Sequence, residues 1–356
     1  MNLKSFIRPA VLKKEAYSVS DYVCPVKLNQ NENPFDFPDE FKKEIESEIV
    51  NSAWNRYPTV FPDLLIRKLS ENLNISEKSI LVGHGSNELI YSTLWAILEK
   101  NDTVLIPVPA FSLYESVAAL CEANVIKITG DSDTLQTNMD DVISEVKKSQ
   151  PKLTILCNPN NPSAQKVSVE KVIELLKTTS GLVWLDEAYI EFSQNRTLMT
   201  EMKNFPNLII LRTFSKAYAL AGLRLGFIAA HPDLITEFKK TKVPFTVDQI
   251  SQTIALKILE RQDLVAESVN RIKAEKSRFL THFKQITAVK VFESDTNFFI
   301  FKSLSKDHKI IFKSLAESGV LVRDVSSYPA MEGCLRVTVG TPEENDEFLR
   351  LLKESV

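Results

Sequence analysis

Between residues 80 and 230, short apolar runs of strand length alternate with longer segments whose apolar positions recur at helical spacing. The runs are ILVG, TVLIP, NVIKI, LTILC, LVWLD, LIILR and GFIAA. Between them lie SNELIYSTLWAILEK, with Ile90, Leu94, Ile97 and Leu98 on one face, and further helices expected over 112–121, 138–149 and 168–177. Strands that are apolar on both faces and separated by helix-length segments predict an α/β fold with a mostly parallel sheet covered on both sides.

The flanks read differently. Residues 1–40 mix Pro, Asn and charge without a period, so they are expected to form an extended N-terminal arm ending at a helix start near Phe41. The helices FKKEIESEIV and PDLLIRKLSENL follow, the second with Leu65, Leu69 and Leu73 four residues apart. Beyond Pro244, two long helices are expected from Val247, Ile250, Ile254 and Ile258 and from Val265, Val269, Ile272 and Phe279. TNFFIFK, VLVRD and CLRVTV with two shorter helices complete a small α+β domain. The expected division is therefore an arm (1–40), a large domain (41–243) and a C-terminal small domain (244–356).

Composition narrows the function classes. With 44% apolar and 25% charged residues the 356-residue chain is an ordinary globular sequence, and a net charge of -3 gives no basic footprint for nucleic acid. The N-terminus lacks an apolar signal core and no run approaches a membrane span, so a cytoplasmic enzyme is expected. The four cysteines are far apart, with no metal-ligand or redox spacing, and read as reduced.

Ligands of open α/β sheets bind beyond the carboxyl ends of the strands, and four segments there carry polar chemistry. After ILVG comes GHGSNEL, a glycine turn into a helix whose first amides, from about Gly85 through Ser86 to Asn87, are poised for an anion; read alone, Ser86 or Asn87 is first of all a helix cap. After LTILC comes NPNNPSA, a proline-stiffened turn that projects Asn158, Asn160 and Asn161. After LVWL comes DEAYIEF, where Asp186 ends an apolar strand and needs a partner: a structural cation or a cationic ring nitrogen. After LIILR comes FSKAYALAGLRLG, in which Lys216 is expected to have a depressed pKa and a nucleophilic amine. One ligand that asks for a phosphate site, a carboxylate for a ring nitrogen, Asn and Tyr donors and an amine for an aldehyde is pyridoxal 5'-phosphate.

The motifs LNQNENP, NRYP, GHGSNE, NPNNP, DEAYIEF, FSKAYALAGLRLG and LRVTVGT run through nearly the whole chain. Together they resemble the histidinol-phosphate aminotransferase family of fold-type I pyridoxal-phosphate enzymes. The resemblance implies that Lys216 bonds the cofactor aldehyde, Asp186 pairs with the pyridinium nitrogen, and Asn161 and Tyr189 donate to the ring hydroxyl. It assigns Ser86, Asn87, Ser215 and Arg224 to the phosphate, with backbone amides after Gly85, and Phe111 to stacking on the ring. Tyr57, in NRYP, is implied to reach the phosphate of the neighbouring subunit, hence a homodimer with shared sites. Arg336 and Arg323 are implied to grip substrate anions, although either is also readable as a surface or ion-paired arginine. Tyr17 and Asn33 in the arm are implied to close over the substrate.

Two departures from the family pattern stand out. Pro162, Ser163 and Ala164 replace Pro-Thr-Gly, so a glycine-dependent turn is expected to relax. Pro109, Ala110 and Phe111 replace Pro-Thr-Tyr, keeping an aromatic face and dropping a hydroxyl. The implied activity is ping-pong transamination between L-histidinol phosphate and 2-oxoglutarate. An aromatic amino-acid aminotransferase and a lyase similar to threonine-phosphate decarboxylase are the alternatives, and a nucleotide-binding protein is disfavoured because no GxxxxGK[ST] element follows a strand.

Overall fold

The computed structural model describes residues 1–14, 16 and 22–356. All seven expected runs become strands of one sheet: β2 (Ile80–His84), β3 (Thr103–Val108), β4 (Asn124–Thr129), β5 (Leu153–Cys157), β6 (Leu182–Asp186), β7 (Leu208–Thr213) and β8 (Leu225–Ala229), after a short β1 (Val26–Lys27) in the arm. Their order is β2-β8-β7-β6-β5-β3-β4. Every pairing is parallel except those of β8, which runs antiparallel to both β2 and β7. That reversal follows from the short link 214–224 between β7 and β8, which holds Lys216 and is too short for a helical crossover.

Side chains alternate between two cores, one on each face of the sheet. Val183, Leu185, Leu208 and Ile210 pack on one side, whereas Trp184, Ile209 and Leu211 pack on the other. Each such side chain, removed from water, contributes roughly 1.5–3 kcal/mol, and the period of two fixes the register of the central strands. The carboxyl ends of β5, β6 and β7 therefore lie side by side, with Cys157 opposite Asp186 and Asp186 opposite Leu211.

A second sheet, β12-β13-β10-β9, gathers β9 (Val289–Val291), β10 (Phe298–Ser303), β12 (Arg323–Asp324) and β13 (Cys334–Thr338). Phe279, Phe283, Phe299, Phe301 and Phe348 form its core, with ring centroids 5.3–6.3 Å apart. The expected strand VLVRD divides: β11 (Val320–Leu321) pairs with β1 of the arm, and only Arg323–Asp324 joins the second sheet. The arm is thus a third strand-forming element, and Leu28 O accepts from Thr338 N at 2.9 Å to tie it to β13. It also contains short helical turns, Leu3–Phe6 and Pro9–Leu12, and its following helix starts at Asp39. The helix Pro232–Thr241 and strand β9 had no expectation in the sequence reading.

Candidate active site

The carboxyl ends of β5, β6 and β7, the turn after β2 and residues 29–32 of the arm surround one cavity of about 430 Å³. Ser86, Asn87, Phe111, Asn161, Asp186, Tyr189, Ser215, Lys216, Arg224, Arg323 and Arg336 all line it.

Lys216 stands in the link between β7 and β8, and its Nζ donates to the carbonyl of Gln30 at 2.8 Å. Burial of the ammonium lowers its pKa to about 7, with Arg336 adding to the effect and Glu32 opposing it. A neutral amine is thus present near neutral pH, as the sequence reading anticipated. Asp186 is buried at the end of β6; its Oδ1 accepts from Ala188 N at 2.9 Å and its Oδ2 from the Tyr114 hydroxyl. Burial pushes its pKa up to about 6, against the pull of that hydroxyl. Such a carboxylate is poised to receive a cation.

At the opposite end, the helix Gly85–Ile97 opens toward the cavity with no side-chain cap, so Ser86 and Asn87 are not caps and the first amides face the cavity with the helix dipole behind them. Arg224 completes this end: its Nη1 donates to Ser215 Oγ at 3.1 Å and to Ala221 O at 2.9 Å. Gly85 adopts φ +74°, and a Cβ there would lie 2.7 Å from Arg224 Nη2. A side chain there would be strained by that φ and would displace the guanidinium from the helix end.

Between the two ends, Asn161 Oδ1 accepts from Arg336 Nη1 at 2.7 Å, and Arg336 Nη2 donates to Asn29 O at 2.9 Å. The Tyr189 hydroxyl accepts from Asn31 Nδ2 at 3.1 Å, and burial holds its pKa well above the usual phenol range. Phe111 meets Tyr114 edge to face at 5.7 Å. The turn at Ala164 does not relax: the alanine keeps a left-handed φ of +65°, and its amide and carbonyl bond Asn160 O at 2.9 Å and Asp295 N at 2.8 Å.

Three assignments fall elsewhere. Asn33 does not face the cavity; its Nδ2 donates to Ser268 Oγ at 2.8 Å and its Oδ1 accepts from Phe35 N at 2.9 Å. The arm residues that do line the cavity are Asn29, Gln30, Asn31 and Glu32, and two act through backbone carbonyls, which no side-chain pattern announces. Tyr57 is 84% exposed, away from its own chain's cavity, with its ring 4.9 Å from that of Phe245. Tyr17 lies outside the described residues. Tyr114 was not among the expected site residues; its one signal in the sequence is its place three residues after Phe111, at the start of a helix.

The model of the family described as aminotransferase class I and II matches residues 25–352. The chain belongs to that family. A histidinol-phosphate aminotransferase from Chlorobaculum tepidum is 38% identical over 349 residues, 98% of this chain and 99% of that protein. Among solved structures, the histidinol-phosphate aminotransferase from Clostridium acetobutylicum superposes with a TM-score of 0.84 at 26% identity, covering 92% of this chain and 98% of that one. The enzyme of that name from Sinorhizobium meliloti, in complex with pyridoxal-5'-phosphate, gives 0.83 at 23% identity, covering 93% and 91%. As a class I and II aminotransferase this chain takes pyridoxal phosphate, and its cavity fits the group. An uncapped helix end with a guanidinium suits the phosphate, and a buried, under-neutralised carboxylate suits a protonated ring nitrogen.

Proposed function

We propose that the protein transfers an amino group between L-histidinol phosphate and 2-oxoglutarate in histidine biosynthesis, as a cytoplasmic homodimer. The observation that carries the chemistry is the placement of Lys216, Asp186 and Arg224 around one cavity; the near full-length similarity to histidinol-phosphate aminotransferases supports the substrate. Among the described residues no helix is long and apolar enough to cross a membrane. The boundary at 243 is supported by the large sheet's lying within 80–229 and the small one's within 289–338, and the arm's end at 40 is kept from the sequence.

When bound, pyridoxal phosphate supplies an aldehyde carbon and an electron-withdrawing ring. Ser86, Asn87, Ser215, Arg224 and the amides after Gly85 would hold its phosphate, Asn161 and Tyr189 its ring hydroxyl, Asp186 its ring nitrogen and Phe111 its face. With the cofactor bound, Asp186 would hold the proton on that nitrogen by pairing with its positive charge. Lys216, with a pKa lowered to about 7 and so a large neutral fraction near neutral pH, is the group that accepts the substrate's Cα proton at Nζ and later returns one. Arg336 and Arg323 bind the carboxylate of the 2-oxo acid and the phosphate ester of the amine in turn, since a guanidinium pairs with either anion through two parallel hydrogen bonds.

The test is a panel of amine donors, with histidinol phosphate, phenylalanine and threonine phosphate each offered with 2-oxoglutarate. Fast amino transfer from histidinol phosphate is expected. Preference for phenylalanine would move the protein to the aromatic aminotransferases, and carbon dioxide release from threonine phosphate without an acceptor would make it a lyase. Lys216→Ala is expected to abolish exchange while still binding the cofactor.

A further inference from the structure

Behind the phosphate end of the cavity lies a charge pair, a buried lysine and a partly exposed carboxylate, that the functions above do not use. Glu88, in the first turn of the helix Gly85–Ile97, folds its carboxylate back over the turn: Oε2 accepts from His84 N at 2.6 Å and from Thr246 Oγ1 at 3.2 Å. A Cβ on Gly83 would lie 2.7 Å from that oxygen, so the carboxylate is pressed against the strand end that leads into the helix. Its other oxygen, Oε1, is buried and accepts no hydrogen bond among the described residues. The cation nearest to it is Lys242, whose side chain is 1% exposed and whose Nζ stands 3.9 Å away. That ammonium also donates to Thr246 Oγ1 at 2.7 Å and to Val243 O at 3.1 Å. Burial lowers the Lys242 pKa, and the Glu88 carboxylate opposes part of that shift.

A carboxylate at a helix N-terminus competes with any other anion for the same dipole. Glu88 sits two residues beyond Ser86 and one beyond Asn87, where the phosphate of the proposed cofactor would lie. Left uncompensated in a low-dielectric pocket, its charge would repel a phosphate dianion. We propose that Lys242 is a positioning residue for the cofactor phosphate, acting by neutralising Glu88 so that the field of the helix end is free for the incoming dianion. The proposal rests on the reading of the cavity as a pyridoxal-phosphate site.

The experiment compares binding of pyridoxal phosphate and of pyridoxal, which lacks the phosphate, to the apoenzymes of wild type, Lys242→Met, Glu88→Gln and the double variant, by absorbance titration. Lys242→Met is expected to weaken pyridoxal phosphate about tenfold and to leave pyridoxal unchanged. The double variant is expected to return to within about threefold of wild type, because the repelling carboxylate is gone. Equal weakening of both ligands, or a double variant as weak as Lys242→Met, would make Lys242 a packing residue and overturn the proposal. If Lys242→Met does not fold, Glu88→Gln and the double variant still decide: the double variant must bind the phosphate ligand within about threefold of wild type and Glu88→Gln no more weakly than wild type, and a double variant about tenfold weaker than wild type overturns the proposal. A wild type that binds neither ligand would instead remove the cofactor reading, and this inference with it.

Discussion

Arg336 Nη1 donates to Asn161 Oδ1 at 2.7 Å, so a residue of the small sheet and one from the loop after β5 of the large sheet form a single hydrogen-bonded unit over the cavity. The guanidinium implied to bind the substrate carboxylate is thereby already engaged with a side chain implied to hold the cofactor ring. Replacing Arg336 with Met removes a charged donor whose hydrogen bonds are worth about 1.5–3 kcal/mol. We expect kcat/KM for the 2-oxo acid to fall by about 10- to 100-fold, chiefly through KM. Steady-state kinetics with 2-oxoglutarate varied checks this, and an unchanged KM would remove Arg336 from the carboxylate site.

The same arginine acts on Lys216, whose pKa is lowered to about 7 first by burial and next by Arg336. The nucleophile is the neutral amine, so the rate at which the apoenzyme captures pyridoxal phosphate should rise with pH and reach half its maximum near pH 7. In Arg336→Met a repelling cation is lost, and the midpoint should move upward. Stopped-flow absorbance across pH 5–10 reads both. A wild-type midpoint close to that of a free lysine would show that the amine is not desolvated.

Asp186 gives a stability prediction with the opposite habit from most carboxylates. Its pKa is raised from 3.8 to about 6 by burial, so the folded apoprotein favours the protonated form. That contribution is complete below pH 3.8 and is lost as pH rises through about 6, a shift worth about 3 kcal/mol at most. Asp186→Asn imitates the protonated acid. The apo variant should match wild type near pH 4 and exceed it above pH 7 by up to about 3 kcal/mol, while turnover is lost because the ring nitrogen has no anionic partner. Urea unfolding of both apoproteins at the two pH values tests the sign, and a variant less stable at pH 8 would contradict it.

The alternation of apolar runs and helical segments announced all seven strands of the large sheet; six of them are largely buried and so apolar on both faces, and the edge strand β4 is half exposed. The reversal of β8 was not legible, because direction is set by the short link 214–224 and a strand's composition is the same either way. Lys216, Asp186, Asn161 and the Gly85 turn were legible because they stand at strand ends, where topology forces convergence. Asn29 and Gln30 were not, because each contributes a backbone carbonyl, an atom every residue carries. Asn33 misled because its neighbours in the motif face the cavity while it turns to Ser268.

The exposed Tyr57, packed on Phe245, is suited to reach a neighbouring subunit. If sites are shared, Tyr57→Ala and Lys216→Ala subunits carry defects in different places of one site. Mixing the two inactive or weakened proteins under reversible dissociation should restore activity, because one site of each mixed dimer receives both native residues. No gain above the sum of the separate activities would show that Tyr57 serves no partner's site.

Ala164 departs from a local rule of backbone conformation. It is fully buried at φ +65° in the loop that carries Asn161, where a Cβ is strained by about 1–2 kcal/mol against glycine. Glycine would relieve that strain but would release more backbone freedom in the unfolded chain, by roughly 0.5–1 kcal/mol. The balance favours Ala164→Gly by up to about 1 kcal/mol. The neighbouring bonds, from Ala164 N to Asn160 O and from Asp295 N to Ala164 O, use backbone atoms alone and survive the change. Chemical denaturation should therefore show a higher midpoint with the same slope, and KM values should hold because Asn161 keeps its place. A destabilised variant would mean that the Ala164 methyl contributes more through packing than its backbone conformation costs.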